Sequence, residues 1–392
     1  MKKVIYAFIF TLVVFGIFGA IWLSNYLALF KEVRTSFNNS SIVSENENDV
    51  PYKIELVAEG LSVPWGIVFT SDDRFLFTER TGSIREFKKG KLSEKSLLIL
   101  SDVNAISEAG LMGLEKDPDY PNSKYLYTSY AYSDNGNLKV RIVRLIDGDS
   151  ELTVDKVILE NIPAASNHAG SRLKFGPEGK LYITTGDATQ RNLAQDINSL
   201  AGKILRLNPD GSIPEDNPFD GSPVYSYGHR NPQGIAWNPE TGTMYSTEHG
   251  PSVFDGPAGG DEINIIYEGG NYGWPLVSHE KTKEGMVSPA QVFTPAVAPA
   301  SAMAYSGKLF PQFKYNLFFG ALRGEGLYRI ILEGKTLDKV AGFQKLPEVD
   351  LGRIRDVVES PSGEIYFSTS NTDGRGNIRT GDDKIFKITP NL

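Results

Sequence analysis

The 392-residue sequence predicts an all-β fold, a six-bladed β-propeller behind an N-terminal transmembrane helix or signal anchor. Three observations predict it. One pattern recurs six times, a lone strand precedes the first copy, and the composition suits strands and turns, with 39 Gly, 22 Pro and 11% aromatics against only 22% charged residues.

The N-terminus comes first. Lys2 and Lys3 precede an uncharged, apolar run from Val4 to Phe30, long enough to span a bilayer and longer than the apolar core of an ordinary signal peptide. Residues 1–30 therefore read as an uncleaved signal anchor, with a cleaved signal peptide as the alternative. In both cases the lysines stay cytoplasmic, and the remainder is extracytoplasmic or extracellular. Residues 31–50 are rich in Ser, Asn and Glu without periodicity and read as a flexible linker, which leaves 51–392 for the propeller domain.

Each copy of the pattern is a short apolar strand, a turn built on Pro, Asp or Gly, a second strand ending in Thr or Ser, and a further strand near an Arg. The copies start at Gly66, Gly110, Ser171, Gly234, Ser301 and Ile354. Their spacing runs from 44 residues (Gly66 to Gly110) to 67 (Gly234 to Ser301), room for four strands and a variable loop. A β-sandwich with insertions shares the turn signals but does not require six copies in phase. The strand KIELV at Lys53 to Val57 has no blade of its own, and KIFKI ends the chain, so the two are expected to pair and close the ring.

The formal net charge of -8 argues against nucleic acid as a partner, because neutralising phosphates takes a basic surface. The absence of Cys excludes disulfides, thiolate metal sites and a Cys nucleophile. In a propeller, residues beside the inner strands of several blades converge on one face. Candidates recur there: Glu108 ahead of the second copy, His168 before the third, and Arg230, Asn231 and Gln233 before the fourth. Arg323 lies inside the fifth, and Arg353 and Arg355 flank the start of the sixth. Residues 353 and 355 are two apart, so on a strand they share a face.

Five segments occur in order with blade-like spacing: NHAGSRLKFGPEGKLYITTGD (167–187), GHRNPQGIAW (228–237), EHGP (248–251), DEINIIYEGGNYGWP (261–275) and GRIRDV (352–357). Together they resemble the soluble, pyrroloquinoline-quinone (PQQ)-dependent aldose sugar dehydrogenases, the glucose/sorbosone dehydrogenase family, over about residues 53 to 390. The resemblance implies an enzyme that oxidises the C1 hydroxyl of an aldose to a lactone by hydride transfer to PQQ. His168 would be the general base, with Asp187 fixing its ring. PQQ carries three carboxylates, so its site needs concentrated positive charge, which Arg230, Arg323, Arg353 and Arg355 supply. Asn231 and Gln233 would add hydrogen bonds. The carbonyls of Gly250 and Pro251 would bind a catalytic calcium, and Glu262 and Tyr272 match ligand positions of a second, structural one.

Four positions depart from the family pattern. His249 stands where some relatives carry a polar amide, and Ala296 lacks a hydroxyl near the expected cofactor. Arg323 stands where some members carry Lys, and Glu108 where some carry Gln. A carboxylate beside a tricarboxylate must be protonated or paired, or face the substrate or calcium instead. An external electron acceptor completes the expected partners. The alternative is a non-catalytic propeller ectodomain that binds a glycan or protein. A lactonase of the same architecture would need a central trio of metal-binding carboxylates and amide, which the sequence lacks.

Overall fold

The computed structural model describes residues 50–391. Both N-terminal expectations, the signal anchor and nearly all of the linker, lie outside the described residues. Among those residues no helix is long and apolar enough to cross a membrane.

Six antiparallel sheets surround one axis. The first strands of the blades are Pro64–Ser71, Leu111–Lys116, Leu173–Phe175, Pro232–Trp237, Met303–Ala304 and Ile354–Glu359. They pack side by side in chain order, and the sixth returns to the first. The chain is a six-bladed β-propeller. As expected, the N-terminal strand Tyr52–Ala58 is the outermost strand of the last blade, paired with Ile385–Pro390 in the register Ile54↔Ile388. One sheet thus joins the two ends of the domain.

The repeated pattern has a packing reason. Inner and second strands are covered on both sides by neighbouring blades, so Leu181–Thr185 and Leu317–Ala321 are buried throughout and read as apolar runs. A Thr or Ser of the second strand then carries a hydroxyl that reaches the next blade at or just before its inner strand. Thr78 donates to the Met112 carbonyl (2.7 Å), Ser129 to Ser171 (2.8 Å), Thr247 to Ser301 (3.1 Å) and Ser368 to Pro64 (2.9 Å). Each such bond contributes about 1 kcal/mol and fixes the neighbouring blade's height. The close approach also explains glycine in the inner strands: a Cβ at Gly113 would lie 2.7 Å from the Ser171 carbonyl oxygen.

Antiparallel pairing puts the start of each first strand and the connection between second and third strands at the same end of a blade. Twelve segments therefore meet on one face. A 3₁₀ turn at Arg191–Ala194 lies on that face.

Candidate active site

His168 lies on the link into the third blade and Asp187 on the connection that follows Leu181–Thr185. His168 has a left-handed backbone (φ 57°), and a Cβ on Gly186 would overlap its carbonyl group, so glycine is needed where the two segments cross. Its Nδ1 is 2.7 Å from Asp187 Oδ1. That carboxylate is buried and also accepts the Thr189 amide (2.8 Å) and the Trp274 indole N–H (2.8 Å). An acceptor-only partner fixes the proton on Nδ1 and leaves the lone pair of Nε2 free.

The connection behind this pair is stiffened by Lys203. Its fully buried ammonium donates to the carbonyls of Leu193 (2.8 Å), Ala194 (3.1 Å) and Ala201 (2.6 Å). Burial pulls its pKa down to about 7, against the opposing field of Asp196.

The Asp187 amide donates to the Arg230 carbonyl (2.8 Å), which places the fourth blade's cluster against the His–Asp pair. The Arg230 guanidinium binds Asp255 (2.9 Å) and the His249 carbonyl (3.2 Å), and its backbone N–H donates to Glu248. Asn231 Oδ1 accepts the Gly170 amide (3.3 Å). From the sixth blade, Arg353 binds Asp373 (2.7 Å) and the Leu322 carbonyl (2.9 Å). Arg355 donates to Gln233 Oε1 (2.9 Å) and lies 3.7 Å from the same Asp373. Burial brings the Arg355 guanidinium down to about 10, still charged at neutral pH. Arg323 follows Leu322 directly; its side chain is exposed and makes no ion pair among the described residues.

Glu108 is paired rather than protonated. Burial alone would raise its pKa, but cationic His249 and the Arg375 guanidinium, bonded at 2.7 Å, bring it down to about 2. Burial holds His249 itself neutral down to about pH 4, so near neutrality Arg375 is the cation that matters. The other Glu108 oxygen accepts the His168 amide (3.2 Å).

The family model described as "Glucose / Sorbosone dehydrogenase" matches residues 61–379. An aldose sugar dehydrogenase of Escherichia coli is 35% identical over 82% of this chain and 91% of that protein. A solved putative oxidoreductase (glucose dehydrogenase) of Thermus thermophilus is 40% identical, with TM-score 0.80 over 86% of this chain and all of that one. The PQQ-bound aldose sugar dehydrogenase of Streptomyces coelicolor is 33% identical, with TM-score 0.75 over 87% of this chain and 98% of that one. The chain belongs to the glucose/sorbosone dehydrogenase family. It is an oxidoreductase of the sugar dehydrogenase class.

The residues of this dehydrogenase fit an anionic planar cofactor. Asn231 Nδ2, His249 Nε2, Arg355 Nε and Arg80 Nε are buried without a hydrogen-bond partner, four of the eleven such side-chain atoms among the described residues, and all four belong to segments of this face. Buried polar groups left unpaired point to a missing partner. For calcium, Gly250 and Pro251 lie on a loop pinned by the Gly250 amide to Asp261 (2.7 Å), whose other oxygen accepts the amides of Val297 (2.7 Å) and Ala298 (2.6 Å). Glu262 sits opposite Glu248 on paired strands, and burial followed by that neighbour raises its pKa to about 8. The Tyr272 hydroxyl is already committed to the Ile265 carbonyl (2.6 Å) and the Tyr267 amide (2.8 Å), and its ring stacks on His229. No group of three or more His, Asp or Glu side chains poised for a metal occurs among the described residues.

Sequence reasoning did not single out Trp274, Arg375 or Arg80. Trp274 stands inside the GNYGWP segment and Arg375 in the GRG that ends the last copy, but neither position shows its partner. Arg80 directly follows the second strand of the first blade, Arg74–Glu79; its guanidinium donates to the Ser107 carbonyl beside Glu108.

Proposed function

We propose that this dehydrogenase oxidises the C1 hydroxyl of an aldose to the lactone with PQQ and calcium. The observation that carries the reading is the meeting of buried guanidinium groups and unpartnered polar atoms beside an imidazole whose Nε2 is free. Arg230, Arg353 and Arg355, with Arg323 at the rim, would hold the cofactor's carboxylates, and Asn231, Gln233 and Glu108 would border it. The carbonyls of Gly250 and Pro251 would hold the catalytic calcium, with Glu262 and Tyr272 at a structural one. When bound, PQQ supplies the two-electron acceptor for hydride, and calcium supplies Lewis-acid polarisation.

The chain's own residues handle the proton. His168 Nε2 takes the C1 hydroxyl proton as the C1–H bond breaks and the C=O bond of the lactone forms. Asp187 stabilises the resulting imidazolium, and Trp274 and Thr189 keep Asp187 from turning away. We further infer an extracytoplasmic, membrane-anchored enzyme that passes its electrons to an external acceptor, a reading supported by the uncharged run from Val4 to Phe30.

The test is reconstitution of the full chain with calcium and PQQ, followed by dye reduction on a panel of aldoses. His168→Ala is expected to lower turnover by roughly a hundredfold to ten-thousandfold, with PQQ binding by titration unchanged. Turnover that survives this change would remove the assigned base.

A further inference from the structure

Among the described residues the exposed arginines are Arg191, Arg323, Arg375 and Arg379, and all four lie on connections between second and third strands, at the site end of their blades. Arg375 pairs with Glu108 (2.7 Å) and Arg379 approaches Asp350 (3.8 Å), while Arg191 and Arg323 have no carboxylate partner among the described residues. Exposed apolar side chains stand among them. Phe254 is 96% exposed, Val253 74% and Ile378 72%, joined by Ile106 and Leu276 on two further segments of that face. Phe254 neighbours Asp255, whose carbonyl binds Arg191 (3.0 Å), and Ile378 adjoins Arg379.

The hub leaves no other approach. Arg172 is buried on the axis, 3.0 Å from Asp356. It bonds to the carbonyls of Gln233 (3.1 Å) and Ala300 (3.0 Å) and lies 4.2 Å from the centre of the Trp65 ring. Sugar and electron acceptor must therefore use the same mouth in turn. Each lactone leaves two electrons and two protons on the loaded enzyme: the hydride carries one proton with both electrons, and the hydroxyl proton sits on His168. Two visits of a one-electron acceptor remove the electrons, and the protons go to water.

We propose that this rim is the docking surface for a small electron-accepting protein whose own redox group is ringed by carboxylates. The proposal rests on the redox reading of the site and names its partner class. Arginine and aromatic side chains are what protein interfaces concentrate, and the guanidinium fork pairs with carboxylates two bonds at a time. A small, charge-steered contact suits an acceptor that must leave before the next sugar enters. A bilayer seated on the same rim would close the mouth to sugar, which favours a protein.

The experiment uses the full chain in detergent, with an acidic c-type cytochrome as probe and a basic one as control. Phe254→Ser combined with Arg379→Glu is expected to lower kcat/KM for the acidic cytochrome roughly tenfold or more, with dye turnover within about twofold of the unmodified enzyme. Rising salt should weaken the acidic cytochrome's reduction and leave the dye's unchanged. Binding of that cytochrome measured without PQQ separates the two readings: it persists if docking is right and the cofactor assignment wrong. Equal cytochrome rates in variant and parent, or equal rates with the acidic and basic probes, would overturn the proposal. So would binding to anionic phospholipid vesicles that the double variant abolishes, which would make the rim a lipid surface.

Discussion

The two ends of the propeller's hub are lined by the same six strands and are opposite in character. At the far end a cavity of about 500 Å³ is walled by Leu114, Leu173, Ile235, Met303 and Val357, and its charges are engaged. Lys174 pairs with Glu115 (3.1 Å), Lys116 bonds to the Phe69 carbonyl (2.8 Å), and Glu359 accepts the Ser306 amide (2.9 Å). At the site end the charged groups are arginines held by one to three hydrogen bonds each, with buried polar atoms left over. Open volume alone does not mark a site. Unspent hydrogen-bonding capacity gathered beside buried arginines does, because burial without a partner costs free energy that a ligand can return.

If that contrast is right, substitutions at the two ends should fail in different ways. The largest effect is expected between them, at Arg172. Arg172→Met leaves Asp356 buried and unpaired, although it still accepts the Ile67 amide (2.8 Å), and should cost about 3–5 kcal/mol in chemical denaturation. A loss under 1 kcal/mol would show that the hub pair is not a structural tie. Next comes Arg355→Gln, which should weaken PQQ binding by roughly ten- to a hundredfold, read from the cofactor-dependent rise in Tm. Lys174→Met at the far end should leave that rise unchanged. Trp274→Phe removes one donor from Asp187 and should lower turnover about tenfold with little change in PQQ affinity. A matching loss of affinity would move Trp274 from positioning the base to holding the cofactor.

The fold was legible because its signal repeats. Thr78, Ser129, Thr247 and Ser368 do the same job in four blades, so the same residue type returns at the same place in the pattern. The ring closure was legible for a related reason, a strand at each end with no local partner. The candidate site was legible where chemistry and motif coincide: His168, Arg230 and Arg355 stand out in the sequence, and the fold brings them to one face. It was not legible where a partner comes from a distant connection: Trp274 reaches Asp187 across 87 residues, because the segment after the third strand of the fourth blade climbs beside Tyr227 to the site face. Arg375 meets Glu108 across 267 residues. A sequence shows which groups are unusual, and only the fold shows which of them meet.

The smallest effect is expected at that last pair, and it sharpens the contrast by pH. Glu108 keeps its charge in the folded protein down to about pH 2, whereas in an unfolded chain a glutamate titrates near 4.3. A carboxyl whose folded pKa is depressed contributes stability that is present above the unfolded value and is lost as pH falls toward the folded one. Arg375→Met removes the cation that remains when His249 is neutral, so it should narrow this gap. The Tm of parent and variant should differ modestly at pH 6, because Arg375 is half exposed and solvent screens the pair. On acidification from about 4.5 toward 2, the parent should lose more of its Tm than the variant, until the two converge. A parallel fall of both curves would mean that Arg375 does not set the ionisation of Glu108, and that the site face holds this carboxylate through its amide contact to His168 instead.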